Sequence, residues 1–151
     1  MIEEDYQPYQ QEFDLPSFDK IESDFDLLQA DSEYPIKSIL KQMQDKIESL
    51  MEILGDILQP TPESITQMHE YSYVSEIEKK IVLDTYKELN FFVRSIHEAQ
   101  LMNDKHNSAH LINEIVSNWS RLKKQALPIV TKLKESWKKE LLTTENQEYF
   151  G

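Results

Sequence analysis

The sequence predicts an all-α protein, an up-down bundle of three long helices, with the third kinked at Pro128 and a short acidic N-terminal helix able to add a fourth. Glycine is scarce, with two in 151 residues, so the chain has little of the turn chemistry that β-sheets need. Apolar residues also recur alternately every four and three residues over long stretches, as on one face of a helix. Prolines and short polar runs separate these stretches, so we expect antiparallel neighbours.

The domain organisation follows from composition. A hydrophobic content of 39% suits one modest core, which we place in a helical bundle over residues 35–145. Residues 146–151 form a short tail. Residues 1–34 form an acidic, aromatic N-terminal segment with eleven Asp and Glu against the single Lys20, a net charge of −10 out of the −12 of the chain. The negative charge therefore belongs mainly to this segment.

The N-terminal segment divides into two parts. We expect the first to be irregular around Pro8. The second reads "PSFDKIESDFDLLQ", in which Ser17 is placed to cap a helix over residues 17–29. One side of that helix is apolar, and an isolated helix of this length is marginally stable. We therefore expect the segment to be partly disordered, or docked either on the bundle beside the basic final helix or on a partner, with these residues buried: Phe18, Ile21, Phe25 and Leu28.

The first long helix begins at Pro35, since proline suits the first turn of a helix. The sequence "QPTP" at 59–62 ends it, because each proline disfavours a helical conformation in the residue before it. The predicted core face consists of Ile36, Leu40, Met43, Ile47, Leu50, Leu54 and Ile57.

The second long segment follows at once. Thr61 is a candidate N-cap with Pro62 at the first helical position. The segment runs to about Met102, with a possible break where Ser75 and Glu78 have the spacing of a capping box. Its predicted core face consists of Val82, Tyr86, Leu89, Val93 and Ile96.

The third helix follows the polar run "NDKHNS" at 103–108, within which Asn107 or Ser108 can cap it. Pro128 removes a backbone hydrogen bond and should kink this helix or split it in two near residues 125–127. Its predicted core face consists of Ile112, Ile115, Trp119, Leu122, Ala126, Ile129, Leu133 and Trp137.

Signatures of catalysis are missing from the chain. It contains no cysteine, which excludes disulfides and thiolate zinc sites, and no Gly-x-Ser-x-Gly nucleophile motif. Gly55, the one internal glycine, falls inside a predicted helix, which excludes glycine-rich phosphate loops. We therefore expect no enzymatic activity, no cofactor and no metal. A metal-binding helical protein stays an alternative, because His106, His110 and Glu114 are spaced four residues apart.

A second alternative is a nucleic-acid-associated subunit. Residues 109–142 contain seven Lys and Arg against three Glu, a net charge of +4. Four of these cations form a basic face roughly opposite the apolar stripe of the last helix. A solvated helix face also explains such a strip, and the acidity of the whole chain opposes DNA binding. The basic face consists of Arg121, Lys124, Lys132 and Lys139.

Two stretches resemble segments of known protein classes. "SDFDLLQ" at 23–29 is similar to the activation segments of transcription regulators, acidic stretches that fold in a coactivator groove. "SRLKKQALP" followed by "LLTTENQEYF" is similar to the basic helix and acidic turn in the helical domain of GINS replication subunits. The second resemblance implies a subunit of a larger helical assembly.

The sequence therefore favours a non-enzymatic helical protein–protein interaction module, an adaptor or a subunit of a larger intracellular assembly, which uses the acidic amphipathic N-terminal segment and exposed helix faces. Its partner would be another protein with a basic or apolar groove, and nucleic acid is the less favoured partner. Since no apolar run spans a membrane and no signal peptide is recognisable, we expect a soluble cytoplasmic or nuclear protein. The predicted partner-binding residues are Phe13, Phe18, Ile21, Phe25, Leu27 and Leu28.

Overall fold

A computed structural model describes the backbone of residues 1–150 and the side chains of residues 1–142. Over those residues it contains six α-helices and one short 3-10 turn, Leu27–Gln29, and it has no β-strand. The all-α class is confirmed, and the up-down order of the helices stays a prediction. The short tail predicted at 146–151 lies outside the residues whose side chains are described. The helices are α1 (Glu3–Phe13), α2 (Phe18–Phe25), α3 (Pro35–Leu58), α4 (Ile65–Tyr73), α5 (Glu76–Met102) and α6 (Lys105–Phe150).

The chain folds as two compact units. Unit 1 consists of Met1–Met51 and Glu88–Ser120, and unit 2 consists of Glu52–Lys87 and Arg121–Gly151. The long helices α3, α5 and α6 each supply residues to both units. Helices α1 and α2 belong to unit 1, and α4 belongs to unit 2.

The predicted core faces of the long helices are confirmed. Nearly every residue of the three stripes is buried, since an apolar stripe of helical period is stable only against another element. The exceptions are half-buried: Leu50, Tyr86 and Trp137.

The break before α5 is also confirmed, and a reciprocal capping box forms it. The backbone N–H of Ser75 donates to the Glu78 carboxylate at 3.0 Å, and the backbone N–H of Glu78 donates to the Ser75 hydroxyl at 3.2 Å. Two orphan donors at the helix start are thereby satisfied, so α5 begins as a separate helix after α4.

The predicted N-cap at Thr61 is wrong. The cap of α4 is Ser64, three residues later, whose hydroxyl accepts from the backbone N–H of Gln67 at 3.2 Å. The chain makes a turn first, with the Ser64 N–H donating to the Thr61 carbonyl at 2.9 Å. The Gln67 side chain accepts from the Thr61 N–H at 2.6 Å. Thr61 therefore belongs to a turn that precedes α4 and is hydrogen-bonded to the first turn of that helix.

The start of α6 differs from the prediction too. Asp104, rather than Asn107 or Ser108, precedes the helix and accepts from the backbone N–H of His106 at 2.9 Å. A carboxylate at this position satisfies an orphan donor and complements the positive helix end. His106 therefore lies in the first turn of the helix and not in a loop.

Pro128 does not split the last helix. Helix α6 continues across it, and Ile129 and Leu133 stay buried beyond it. Pro128 is exposed, so the carbonyl four residues earlier can bond to water in place of the missing N–H. The predicted split is wrong, and the kink stays a prediction. The buried stripe ends before Leu141, which is exposed.

The first part of the N-terminal segment is the helix α1, so the irregular structure expected around Pro8 is wrong. Three acidic residues in its first turn complement the positive end of the helix. Tyr6 is fully buried, its ring lies 5.7 Å from that of Phe18, and its hydroxyl donates to the carbonyl of Pro16. Burial of this ring raises the pKa of Tyr6. Tertiary packing of one aromatic side chain thus supports a helix that its own sequence pattern does not indicate.

Helix α2 is shorter than predicted. The Ser17 cap is confirmed, because its hydroxyl accepts from the Lys20 N–H at 3.3 Å. The helix ends at Phe25, since Asp26 takes a left-handed conformation with φ 55° and its N–H donates to the carbonyl of Glu22. This change of backbone direction shifts the register that follows, and the predicted burial of Leu28 is wrong.

Candidate interaction surfaces

The predicted partner-binding residues lie mostly in the core of unit 1. Leu28 is the exception, at 58% exposure, whereas Leu27 beside it is fully buried. The half-buried ring of Phe13 meets the His106 ring edge-on at 5.2 Å. The remaining members of the set are all buried: Phe18, Ile21 and Phe25.

The N-terminal segment packs against α6 within unit 1. The Phe25 ring lies 5.0 Å from that of Trp119, and the Asn113 amide donates to the Asp14 carbonyl at 3.2 Å. These contacts fall on α6 between residues 106 and 119, a stretch without Lys or Arg. The segment therefore docks on the last helix of the chain, which is the first of the two expected alternatives, but these contacts are apolar or neutral and not electrostatic.

The contact under α2 leaves one polar group unsatisfied. The indole N–H of Trp119 is buried and has no hydrogen-bond partner among the described residues. A buried donor without a partner costs about 1–3 kcal/mol. Packing of the Trp119 ring against Phe25 therefore has to offset the cost of this buried, unpaired N–H.

The predicted basic face is partly neutralised. In unit 2 the Lys132 ammonium donates to the Glu78 carboxylate at 2.5 Å, so this cation is engaged within the chain. The other three members lie at exposed positions of α6: Arg121, Lys124 and Lys139.

The ion pair between Lys132 and Glu78 predicts a pH-dependent stability. The hydrogen bond from Lys132, together with the Ser75 N–H, lowers the pKa of Glu78 from 4.5 to about 2. Because the folded pKa is the lower one, the stabilisation is complete above about pH 4.5 and is lost as the pH falls toward 2. We expect Glu78→Gln, which retains capping ability, to lower the free energy of unfolding by about 1 kcal/mol at pH 7.

Urea denaturation of both proteins between pH 7 and pH 2 checks this expectation. The stability difference should shrink below about pH 4.5, because protonated Glu78 resembles glutamine. Glu76→Gln is the matched control, since the Glu76 side chain is 89% exposed in its pair with Lys79. A difference that stays constant over the whole pH range would contradict the role of the ion pair.

The three residues of the candidate metal site form only one pair. The His110 and Glu114 side chains approach within 3.3 Å, whereas the His106 ring lies against Phe13. Within residues 1–142, no group of three or more His, Asp or Glu is arranged to hold a metal ion.

Helix α4 packs within unit 2, although none of its own residues is fully buried. The His69 ring lies 4.0 Å from the Trp137 ring, and the Trp137 indole N–H donates to the Glu70 carboxylate at 3.1 Å. On its exposed side α4 presents Ile65, at 83% exposure, and Met68. The helix thus contacts α6 through aromatic and polar groups, while its own aliphatic residues stay uncovered.

Uncovered aliphatic residues recur throughout unit 2. Among its described side chains, nine large apolar ones are exposed, whereas eight hydrophobic ones are buried. Two pairs share a helix face, Ile65 with Met68 on α4 and Ile77 with Ile81 on α5. The exposed set is Ile53, Ile65, Met68, Ile77, Ile81, Leu83, Leu127, Leu141 and Leu142.

Exposed helix faces were expected from the sequence, but these residues were not among those predicted to bind a partner. Ile77 and Ile81 precede Val82 in one amphipathic helix, and periodicity alone assigns apolar residues to a buried face. The sequence contained one indication that Ile77 and Ile81 are exposed. They lie outside the apolar stripe that begins at Val82 and repeats every three or four residues. That offset indicates a second apolar face on α5.

No helix of the described chain has the length and apolar character needed to cross a membrane. Comparison with protein-family models, with curated proteins and with solved structures gave no match for this chain.

Proposed function

We propose that this chain is a non-enzymatic helical protein–protein interaction module, an adaptor or assembly subunit, that binds its partner through the exposed apolar faces of unit 2. The observation that carries the proposal is the excess of uncovered aliphatic side chains in that unit. Exposed apolar groups that cluster on one surface favour protein interaction, whereas single scattered ones are normal.

The N-terminal segment is the less favoured binding element. Its apolar side chains already contact the chain's own α6, as the Phe25 and Trp119 rings do at 5.0 Å. A partner that used the same side chains would first have to break these contacts. The exposed residues of unit 2 carry no such cost, because they cover nothing in the free chain.

The matching partner surface is an apolar helix face. Ile77 and Ile81 lie one helical turn apart on α5, so both side chains can enter one apolar groove on a partner. The charges beside them have both signs, with Glu76 and Lys79 paired at 3.2 Å. A partner with a mixed polar rim around an apolar centre fits this pattern better than a strongly basic one.

Site-specific photo-crosslinking tests the proposal. A benzoylphenylalanine in place of Ile77, which is 78% exposed, should give a discrete adduct in an extract of cells that produce the protein. Mass spectrometry identifies the partner in the adduct. A second substitution, Ile65→Asp, should remove most of the adduct if α4 and α5 contribute to one surface.

Leu101 provides the matched control, because it is an 89% exposed aliphatic residue of unit 1. The crosslinker at Leu101 should not give the same adduct, and Leu101→Asp should leave the Ile77 adduct unchanged. Equal adducts from both positions would show that the reaction follows exposure alone and would contradict the proposal.

A further inference from the structure

Unit 1 contains a cavity that the proposed interaction surface does not use. Its volume is about 440 Å³, within the range of small-molecule sites. It lies among the α1 residue Tyr9, the start of α3, the end of α5 and the start of α6. Two tyrosine rings, Tyr9 and Tyr34, contribute aromatic surface to its wall.

The lining residues differ sharply in burial. The charged ones all lie at exposed positions, two acidic and two basic, so their charges balance: Glu33, Lys37, Asp104 and Lys105. The buried ones are apolar except for a single hydroxyl: Pro35, Ile36, Leu40, Ala99 and Ser108. The base of the cavity is therefore apolar, and charge is confined to its rim.

The hydroxyl at the base is unpartnered. Ser108 is 7% exposed, and its side chain makes no hydrogen bond to any residue whose side chain is described. Among the described residues, only ring nitrogens of His69 and Trp119 are fully enclosed without a partner, so the Ser108 oxygen is accessible from the cavity and can bond to a ligand there. Asp104 is already engaged, accepting from the His106 N–H at 2.9 Å and from the Asn107 amide at 3.2 Å.

We infer that this cavity binds a small neutral aromatic molecule with one hydrogen-bonding group, of the phenol type, whose polar atom meets the Ser108 hydroxyl. The buried residues offer an apolar surface and a hydroxyl but no charge. A charged group entering the base would lose its hydration without an ion partner, which excludes carboxylates and ammonium ions there. An aromatic ring matches the apolar base and the two tyrosines at the wall.

Titration of the full chain with phenol, followed by the backbone amide chemical shifts of Ala99 and Ser108, tests the inference. We expect shifts that saturate, with benzoate and benzylamine binding at least tenfold more weakly at the same site. Ser108→Ala should weaken phenol binding about three- to tenfold, because it removes one hydrogen bond. Ser117→Ala is the matched control on the same helix, since Ser117 is exposed and does not line this cavity.

A second variant fills the cavity. Ala99→Leu places three additional carbons at the base and should abolish the saturable shift of Ser108. If that variant does not fold, Ser108→Ala carries the test alone. Phenol shifts that grow linearly without saturation, an unchanged affinity in Ser108→Ala, or benzoate binding as tight as phenol binding would each overturn the inference.

Discussion

Replacement of Phe25 by alanine should lower the free energy of unfolding by about 3–5 kcal/mol. The Phe25 ring is 1% exposed and packs on Trp119, so its removal leaves a cavity and takes away the main aromatic contact between α2 and α6. Urea denaturation followed by circular dichroism measures the loss. Because such a value is a large part of the stability of a typical domain, the effect should be unmistakable.

Phe91→Ala is the matched control for this measurement. Phe91 belongs to unit 1 as well, but it is 62% exposed, so the same substitution should change stability by no more than about 0.5 kcal/mol. Amide hydrogen exchange adds a local readout, since the α2 amide of Ile21 should lose protection in Phe25→Ala. Full protection of α2 in that variant would contradict docking through the aromatic pair.

The two adjacent leucines after α2 should respond very differently to truncation. Leu27→Ala should cost about 2–5 kcal/mol, because its side chain is fully buried. Leu28→Ala should stay within about 0.5 kcal/mol, because its side chain is 58% exposed. Both substitutions remove the same atoms from neighbouring positions, so the comparison isolates burial.

Thermal or urea unfolding of the two variants side by side provides the measurement. The helical spacing of three and four residues predicts the reverse order, with Leu28 as the buried residue. A larger loss for Leu28→Ala would therefore restore the continuous helix over 17–29 and contradict the left-handed Asp26 that ends α2.

The all-α class and the long core faces were predictable from the sequence. Helical periodicity depends on positions along one chain, and an amphipathic stripe such as Ile36 to Ile57 must face other apolar groups whatever the topology. The capping box of Ser75 and Glu78 was predictable for the same reason, because its partners lie three residues apart.

Tertiary structure decided the features that depend on contacts between distant residues. Tyr6 stabilises α1 by packing on Phe18, and no local pattern around Pro8 reveals that ring as an anchor. Helix α2 docks on the last helix as one alternative expected, but on a part of it without Lys or Arg and through aromatic packing.

The candidate binding features belong to this second group. Ile77 and the buried Val82 are both aliphatic residues of α5. Only the packing of helices within unit 2 leaves Ile77 78% exposed. The cavity at Ser108 requires residues from four separate helices or turns to meet. Periodicity determined which residues can be buried, whereas the packing of helices decided which of them are, because burial depends on the neighbour that covers each face.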